Sequence, residues 1–308
     1  MTINEKTTLK FPDEFFKEEV RCGYRVSVQT KKIWAIELDL LNELLKVCKK
    51  HNIKVCAFAG TILGAVRHQG FIPWDDDIDV ALTRENYEKL LQVAPSEFKN
   101  QYFFQTIQTD PNYFFGYARL RNSLTTGIIV GNDRLDYNNG IYVDIFVLDG
   151  KVDDDALLKK QLKDRDKCTT LLNCYKMGYP SKNIIFRLIK YFLKFTYCNV
   201  VSYQKQIAKY EKIITKYNAS SNKVALMTHP YNFIRKYWCY RDDLESIQWV
   251  AFENIQIPIP QNAKSLLANM YGDYMKFPPL EQRGAWHTGI LEFDPETPYQ
   301  EYILKHKS

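Results

Sequence analysis

The chain has 308 residues, 45% of them hydrophobic, with 42 basic against 36 acidic side chains and a formal charge of +6. That much apolar material, including 21 Tyr, 18 Phe and 5 Trp, excludes a disordered polypeptide. The mildly basic, mixed surface suits anionic substrates without calling for nucleic acid, and the length predicts two closely packed parts sharing one site. Seven scattered cysteines, an odd number with no CxxC pair, read as reduced thiols of a cytosolic protein. The first sixteen residues mix charges and lack an apolar core, so neither a signal peptide nor a membrane anchor is expected there. The most apolar stretch, 184–201, is interrupted by Arg187, Lys190 and Lys194 and does not read as a transmembrane helix.

Taken in order, apolar residues from Ile33 to Cys48 recur at helical spacing and predict a helix between Thr30 and Asn52, with Thr30 as N-cap. The run "IKVCAFAGT" reads as a buried strand turning into a loop at Gly60. A short helix and an irregular loop should follow, then a strand from Asp77 through Leu82. Thr83 can cap the next helix, with Leu82 and Tyr87 as a hydrophobic staple. Strands are expected at 113–121 and 141–148, separated by a polar, turn-rich loop. From Asp153 to about Tyr217 the Lys- and Leu-rich composition predicts a helical section. A strand pair ending in "IQIPIP", a helix at "AKSLLANMYG" and a Pro-rich tail complete the chain.

The densest chemical signal is "WDDDIDVAL", where Asp75, Asp76, Asp77 and Asp79 abut an apolar strand. Four acids so close repel unless a cation or bases compensate them. If the strand begins at Asp77, its two-residue period puts Asp77 and Asp79 on one face, roughly 6.5 Å apart, close enough to share a hard cation. A calcium EF-hand loop starting at Asp75 fails twice, at Val80 where Gly is needed and at Asn86 where Glu is needed. An isolated run of Asp reads equally as a solvated turn. Asp144, inside the apolar "IYVDIFVL", costs several kcal/mol unless paired or metal-bound, and alone it fits an arginine partner as well as a metal. Together, Asp77, Asp79 and Asp144 make the carboxylate set that phosphoryl transfer needs. Gly60 and Thr61, at a strand-to-helix turn, offer backbone N–H groups to a phosphate.

The blocks "AGTILGAVRHQGFIPWDDDIDVAL", "YARLRNSLT", "GIYVDIFVLDG" and "YGDYMKFPPLEQRGAWH", in that order, closely resemble the LicD family of phosphotransferases. The resemblance implies an α+β, nucleotidyltransferase-type fold: a central mixed sheet flanked by helices, plus a helical insertion. It divides the chain into a catalytic core at 1–150, a helical section at 151–220 and a C-terminal part at 221–308 that completes the active site. Characterised relatives transfer phosphocholine from CDP-choline to a sugar hydroxyl of a cell-surface polysaccharide, releasing CMP; the distant fukutin group transfers ribitol phosphate from CDP-ribitol. Gly60-Thr61 and Asp77-Ile78-Asp79 fill the family's Gly-Thr and Asp-x-Asp places. Carried over, the resemblance makes Asp77 and Asp79 ligands of magnesium, or manganese in its place, and Asp144 the third carboxylate, as ligand, base or both. Arg119 and Arg121 could grip the diphosphate as a fork, and Arg67 and His68 could face the phosphates. Arg283 and His287 lie in the last block.

Aromatic faces recognise a quaternary ammonium, and Trp74 and Trp286 are the candidates. A ribitol or glycerol donor would want polar contacts instead. The expected partners are a CDP-linked donor and a glycan or lipid-linked glycan acceptor, with no nucleic acid. The helix "NIIFRLIKYFLKF" reads either as an ordinary packed helix with a basic edge or as a segment lying on an anionic membrane. The expected location is cytoplasmic, peripheral at the inner face of the cell membrane on the second reading. Two other functions share these residues: a nucleotidyltransferase passing a nucleoside monophosphate, and a silent scaffold of glycan assembly.

Overall fold

The computed structural model describes residues 2–110, 112–113, 115–130, 137–175, 184–284 and 290–306. Two compact units result: Met1–Asp133 with Tyr137–Val147 and Asp242–Ser308, and Arg134–Asp136 with Leu148–Arg241. Both combine helices and strands, and the class is α+β with a curled mixed sheet.

In the first unit the long helix Val28–Lys50 carries the apolar face expected from its periodicity, with Trp34, Ile36, Leu38, Leu40, Leu41 and Leu44 in the core. Its cap is Ser27 rather than Thr30: the Ser27 side chain accepts from the Thr30 N–H, one turn earlier than expected. The sheet of this unit runs Tyr102–Gln105, Ala118–Asn122, Ile141–Gly150, Asp79–Thr83, Cys56–Ala57, and the strand Ile141–Gly150 leaves the unit at its far end. The strand expected at 53–61 shortens to two residues because the chain turns into the helix Ala59–His68 immediately after Phe58. The strand expected from Asp77 begins at Asp79. Thr83 caps the helix Arg84–Glu97 as expected, with Leu82 and Tyr87 both buried. The hairpin Ile247–Phe252 with Ile255–Pro260 and the helix Ala263–Tyr271, closed by Gly272 at φ +70°, match the sequence pattern.

The second unit is mostly helical. Helix Asp155–Cys174, capped by Asp154 on two backbone N–H groups, lies against helix Tyr203–Ile214. Gln161 donates to the Ile213 carbonyl at 2.8 Å and Gln206 to the Cys168 carbonyl at 3.2 Å, so both buried amide nitrogens tie the seam, while Gln161 Oε1 has no hydrogen-bond partner among the described residues. Strands Lys223–Ala225 and Trp238–Tyr240 pair antiparallel and extend the end of the long strand, Asp149 facing Ala225 and Gly150 facing Val224. All seven cysteines are free thiols. Among the described residues no helix is long and apolar enough to cross a membrane.

Candidate active site

The turn from strand Cys56–Ala57 into helix Ala59–His68 is made in one residue, by Ala59 at φ +44°. Left-handed backbone is costly for a residue with a Cβ, by roughly 1–2 kcal/mol, and persists where surrounding contacts fix it. Those contacts all point to one residue. The Phe58 N–H donates to the Asp79 carbonyl at 2.9 Å, and Thr61 Oγ1 accepts from the Asp79 N–H at 2.8 Å. Both backbone polar groups of Asp79 are thus held by the turn, and Thr61, nearly buried, spends its hydroxyl on positioning Asp79. Gly60 lies so close to the acids that a Cβ there would sit 3.3 Å from Asp75 Oδ2.

The loop carrying the acids is fixed from behind. Trp34 stacks on Phe71 at 4.5 Å and donates from Nε1 to the Asp75 carbonyl at 3.0 Å. Glu253 accepts from the Phe71 N–H at 3.1 Å and is paired with Arg21, and its carboxyl fills the space that a side chain at Gly70 would need. Asp77 is exposed, while Asp75, Asp76 and Asp79 are half-buried. Although Asp77 keeps solvent-exposed surface, desolvation by the protein packed around it raises its carboxyl well above the usual carboxylate range, and Asp75, Asp79, Asp76 and Asp144 push it further. Asp79 moves the same way through burial, then Asp144 and Asp75, against an opposing effect of Arg119. Because the strand starts at Asp79, Asp77 belongs to its irregular run-in, and the two acids are linked by electrostatic proximity rather than by strand alternation.

A fifth acid, absent from the sequence reading, stands behind this group. Glu37, on helix Val28–Lys50 one turn beyond Trp34, is 0% exposed, and neither of its carboxyl oxygens has a hydrogen-bond partner among the described residues. Its proton affinity is raised well above normal by burial, then by Asp76, Asp77, Asp75 and Asp79. A charged residue between Ile36 and Leu38 on the apolar side of a predicted helix was the visible signal.

Asp144 and Arg119 face each other across neighbouring strands, with Nε to Oδ1 at 2.5 Å. Arg119 is 2% exposed, with its guanidinium 3.7 Å from the Tyr142 ring centroid. Burial opposes its charge and Asp144 more than offsets this. Its Nη1 is buried with no acceptor among the described residues. Of the two options open for Asp144 taken alone, the arginine partner is the one present. Arg121 is 0% exposed and donates to Gln105 Oε1 and to the Gly140 carbonyl, both at 2.5 Å; burial and then Arg119 bring its pKa down to about 10. The forked diphosphate contact expected of Arg119 and Arg121 does not fit this enclosure, since strand alternation put both on a packed face.

Four other expected residues come together. Arg67 Cζ lies 5.8 Å and Arg283 Cζ 4.6 Å from the Trp74 ring centroid, and both also approach Phe277. His68 stacks on Phe277 at 5.6 Å and accepts at Nε2 from Arg67 Nε at 2.8 Å. Burial, then the charges of Arg67, Arg21 and Arg283, lower its pKa to about 4, so His68 is neutral at physiological pH. Arg67 donates to the Tyr274 carbonyl and Arg283 to the Pro278 and Cys22 carbonyls. Neither guanidinium has a carboxylate partner among the described residues. Two half-buried cations without a counter-charge are a receptor for an anion. With guanidinium groups already over Trp74, a cationic headgroup would meet like charge there, so the expectation of choline at this ring does not fit. His287 and Trp286 lie outside the described residues.

Among the described residues no three His, Cys, Asp or Glu side chains are arranged to hold a metal ion. Magnesium seldom uses an all-protein cage; one or two carboxylates with substrate phosphate oxygens are its usual donors. Asp77 and Asp79, hard oxygen donors whose mutual repulsion a cation would relieve, fit that smaller role.

Residues 52–152, from the Gly-Thr turn through the acid loop to the Asp144 strand, match the family described as LicD/FKTN/FKRP, nucleotidyltransferase domain. Over 253 residues, 81% of this chain and 92% of the relative, the chain is 26% identical to the lipopolysaccharide cholinephosphotransferase LicD of Haemophilus influenzae. An uncharacterized protein of Rickettsia prowazekii is 32% identical over 126 residues, 41% of this chain and 42% of that one. One from Rickettsia typhi is 41% identical over 76 residues, 25% and 23% of the two chains.

Proposed function

We propose that the protein is a metal-dependent transferase that moves phosphocholine, or a related phospho-alditol, from a CDP-linked donor to a sugar hydroxyl of a cell-surface glycan, releasing CMP. The observation that carries this is the fixing of Asp79, with Asp77 beside it, by the Gly60-Thr61 turn. Similarity along 81% of the chain to a cholinephosphotransferase supports the choice of group.

In this reading Asp77 and Asp79 hold magnesium, or manganese in its place, which when bound neutralises phosphate oxygens. Arg67 and Arg283 bind the donor's diphosphate, and the 221–308 part completes the site through Arg283 and Phe277. The Arg119–Asp144 pair braces the strand beside the acids, with Arg119 Nη1 as a spare donor. The acceptor oxygen attacks the phosphorus bearing the headgroup, and the bond from that phosphorus to the bridging oxygen breaks. CMP leaves with the bonding electrons, and the hydroxyl proton passes to a carboxylate of the cluster. Neutral His68 keeps Arg67 oriented by accepting its Nε–H.

The test is magnesium-dependent protection against thermal unfolding by CDP-choline, CDP-ribitol and CDP-glycerol, followed by turnover with the donor that protects. Free CMP with a phosphocholine-labelled acceptor supports the reading, whereas a CMP-labelled acceptor replaces it with nucleotidyl transfer. No protection by any of the three removes the cytidine diphosphate donor. Asp77→Asn and Asp79→Asn should each abolish the magnesium-dependent shift while leaving the metal-free melting temperature no lower than that of the parent.

A further inference from the structure

The helix Ile184–Phe195 inverts the usual arrangement of a surface helix. Its outward residues are apolar: Leu188 is 63%, Phe192 67% and Phe195 71% exposed, and Ile184, Ile185 and Ile189 are exposed with them. At 3.6 residues per turn these six positions span an arc of about 140°, while Arg187, Lys190 and Lys194 fall together within about 60° on the other side. Lys190, Leu193 and Lys194 are half-buried and Arg187 is exposed, so two of the cations flank the inward side and the apolar arc faces solvent. Water does not stabilise such a face, and something of matching chemistry covers it.

We propose that this helix lies in the surface of an anionic membrane, its apolar arc among the acyl chains and its three cations at the headgroups. The helix contains three basic residues and no acidic one, which selects for a negative surface. Twelve residues give a length of roughly 18 Å, too short to span a hydrocarbon core of roughly 30 Å but suited to lying in its interface. The proposal stands on this helix alone and does not depend on which group the active site transfers.

Co-sedimentation of the full chain with vesicles tests it, using phosphatidylcholine alone and phosphatidylcholine with about a third phosphatidylglycerol. Binding is expected to the mixed vesicles and to be lost at high salt. Leu188→Gln with Phe192→Gln, two exposed positions whose change leaves the core intact, should weaken it by about tenfold or more. Arg187→Glu with Lys194→Glu should do the same, with circular dichroism and donor turnover on a soluble acceptor unchanged in both variants. Absence of binding to the mixed vesicles overturns the proposal. So does binding that both double variants retain. A concentration-dependent dimer dissolved by Leu188→Gln and Phe192→Gln, without vesicle binding, overturns it in favour of a second copy.

Discussion

Replacing Glu37 with Gln should stabilise the cation-free protein at neutral pH. The carboxyl is fully enclosed, has no hydrogen-bond partner among the described residues, and feels four aspartates. Its folded proton affinity lies above the ordinary value of 4.5, so the folded state binds more protons than the unfolded one between those limits. Stability therefore falls as pH rises from 4.5 toward the folded value, and the loss is absent below 4.5. Each pH unit in that interval costs about 1.4 kcal/mol, which sets a ceiling of about 3 kcal/mol near neutrality. Gln keeps the shape and has no proton to gain. Urea unfolding in a chelating buffer should show the variant more stable by about 2 kcal/mol near pH 7 and equal to the parent near pH 4. His68, which titrates in the same range, is common to both proteins and cancels. Equal stability near pH 7 would refute the claim that this carboxyl is buried without a compensating charge.

Arg119→Ala should destabilise the protein by about 3–5 kcal/mol, because it leaves the Asp144 carboxylate enclosed without its partner; Arg119→Met with Asp144→Leu should recover most of that loss in the same denaturation assay. His68, with its pKa near 4, should show no titration between about pH 5.5 and 8 in ring-proton NMR spectra. Since its folded value is depressed from 6.5, its contribution to stability is present above about pH 6.5 and is lost as pH falls toward 4. Gly150→Ala places a Cβ 2.5 Å from the Tyr217 carbonyl carbon and 2.7 Å from the Asn218 nitrogen, backbone atoms that cannot move aside. It should cost about 1–3 kcal/mol and raise amide exchange in strand Lys223–Ala225.

Periodicity and turn chemistry made the long helices legible, because an apolar stripe such as Ile33 to Cys48 has one way to be buried. Strand starts were less so. Nothing in "DDDIDVAL" distinguishes a strand beginning at Asp77 from one beginning at Asp79; the choice is made by Phe58 and Thr61, which grip Asp79 from another segment. Strand Tyr102–Gln105 and the pairing of Thr126–Ile129 with Ile290–Asp294 leave no local pattern to read, since short strands draw their stability from partners remote in sequence. Arg119 and Arg121 were correctly read as sharing a face, but alternation does not say whether that face opens to a cleft or is packed. The gathering of Arg67, His68, Trp74 and Arg283 has no sequence signal beyond their places in the first and last motif blocks. Phe277, which joins them, carried no signal beyond lying in the last block.

The grip on Asp79 has a consequence for how the protein is made. Its two bonds close loops of about twenty residues, Asp79 to Thr61 being eighteen positions apart, so the acid turn can assemble while later segments are still being synthesised. The anion cluster cannot, because Arg283 must reach Trp74 from near the C-terminus. A ribosome-held nascent chain would thus acquire its carboxylates, and Arg67 beside Trp74, long before Arg283. The two halves of the proposed site differ in age within every molecule.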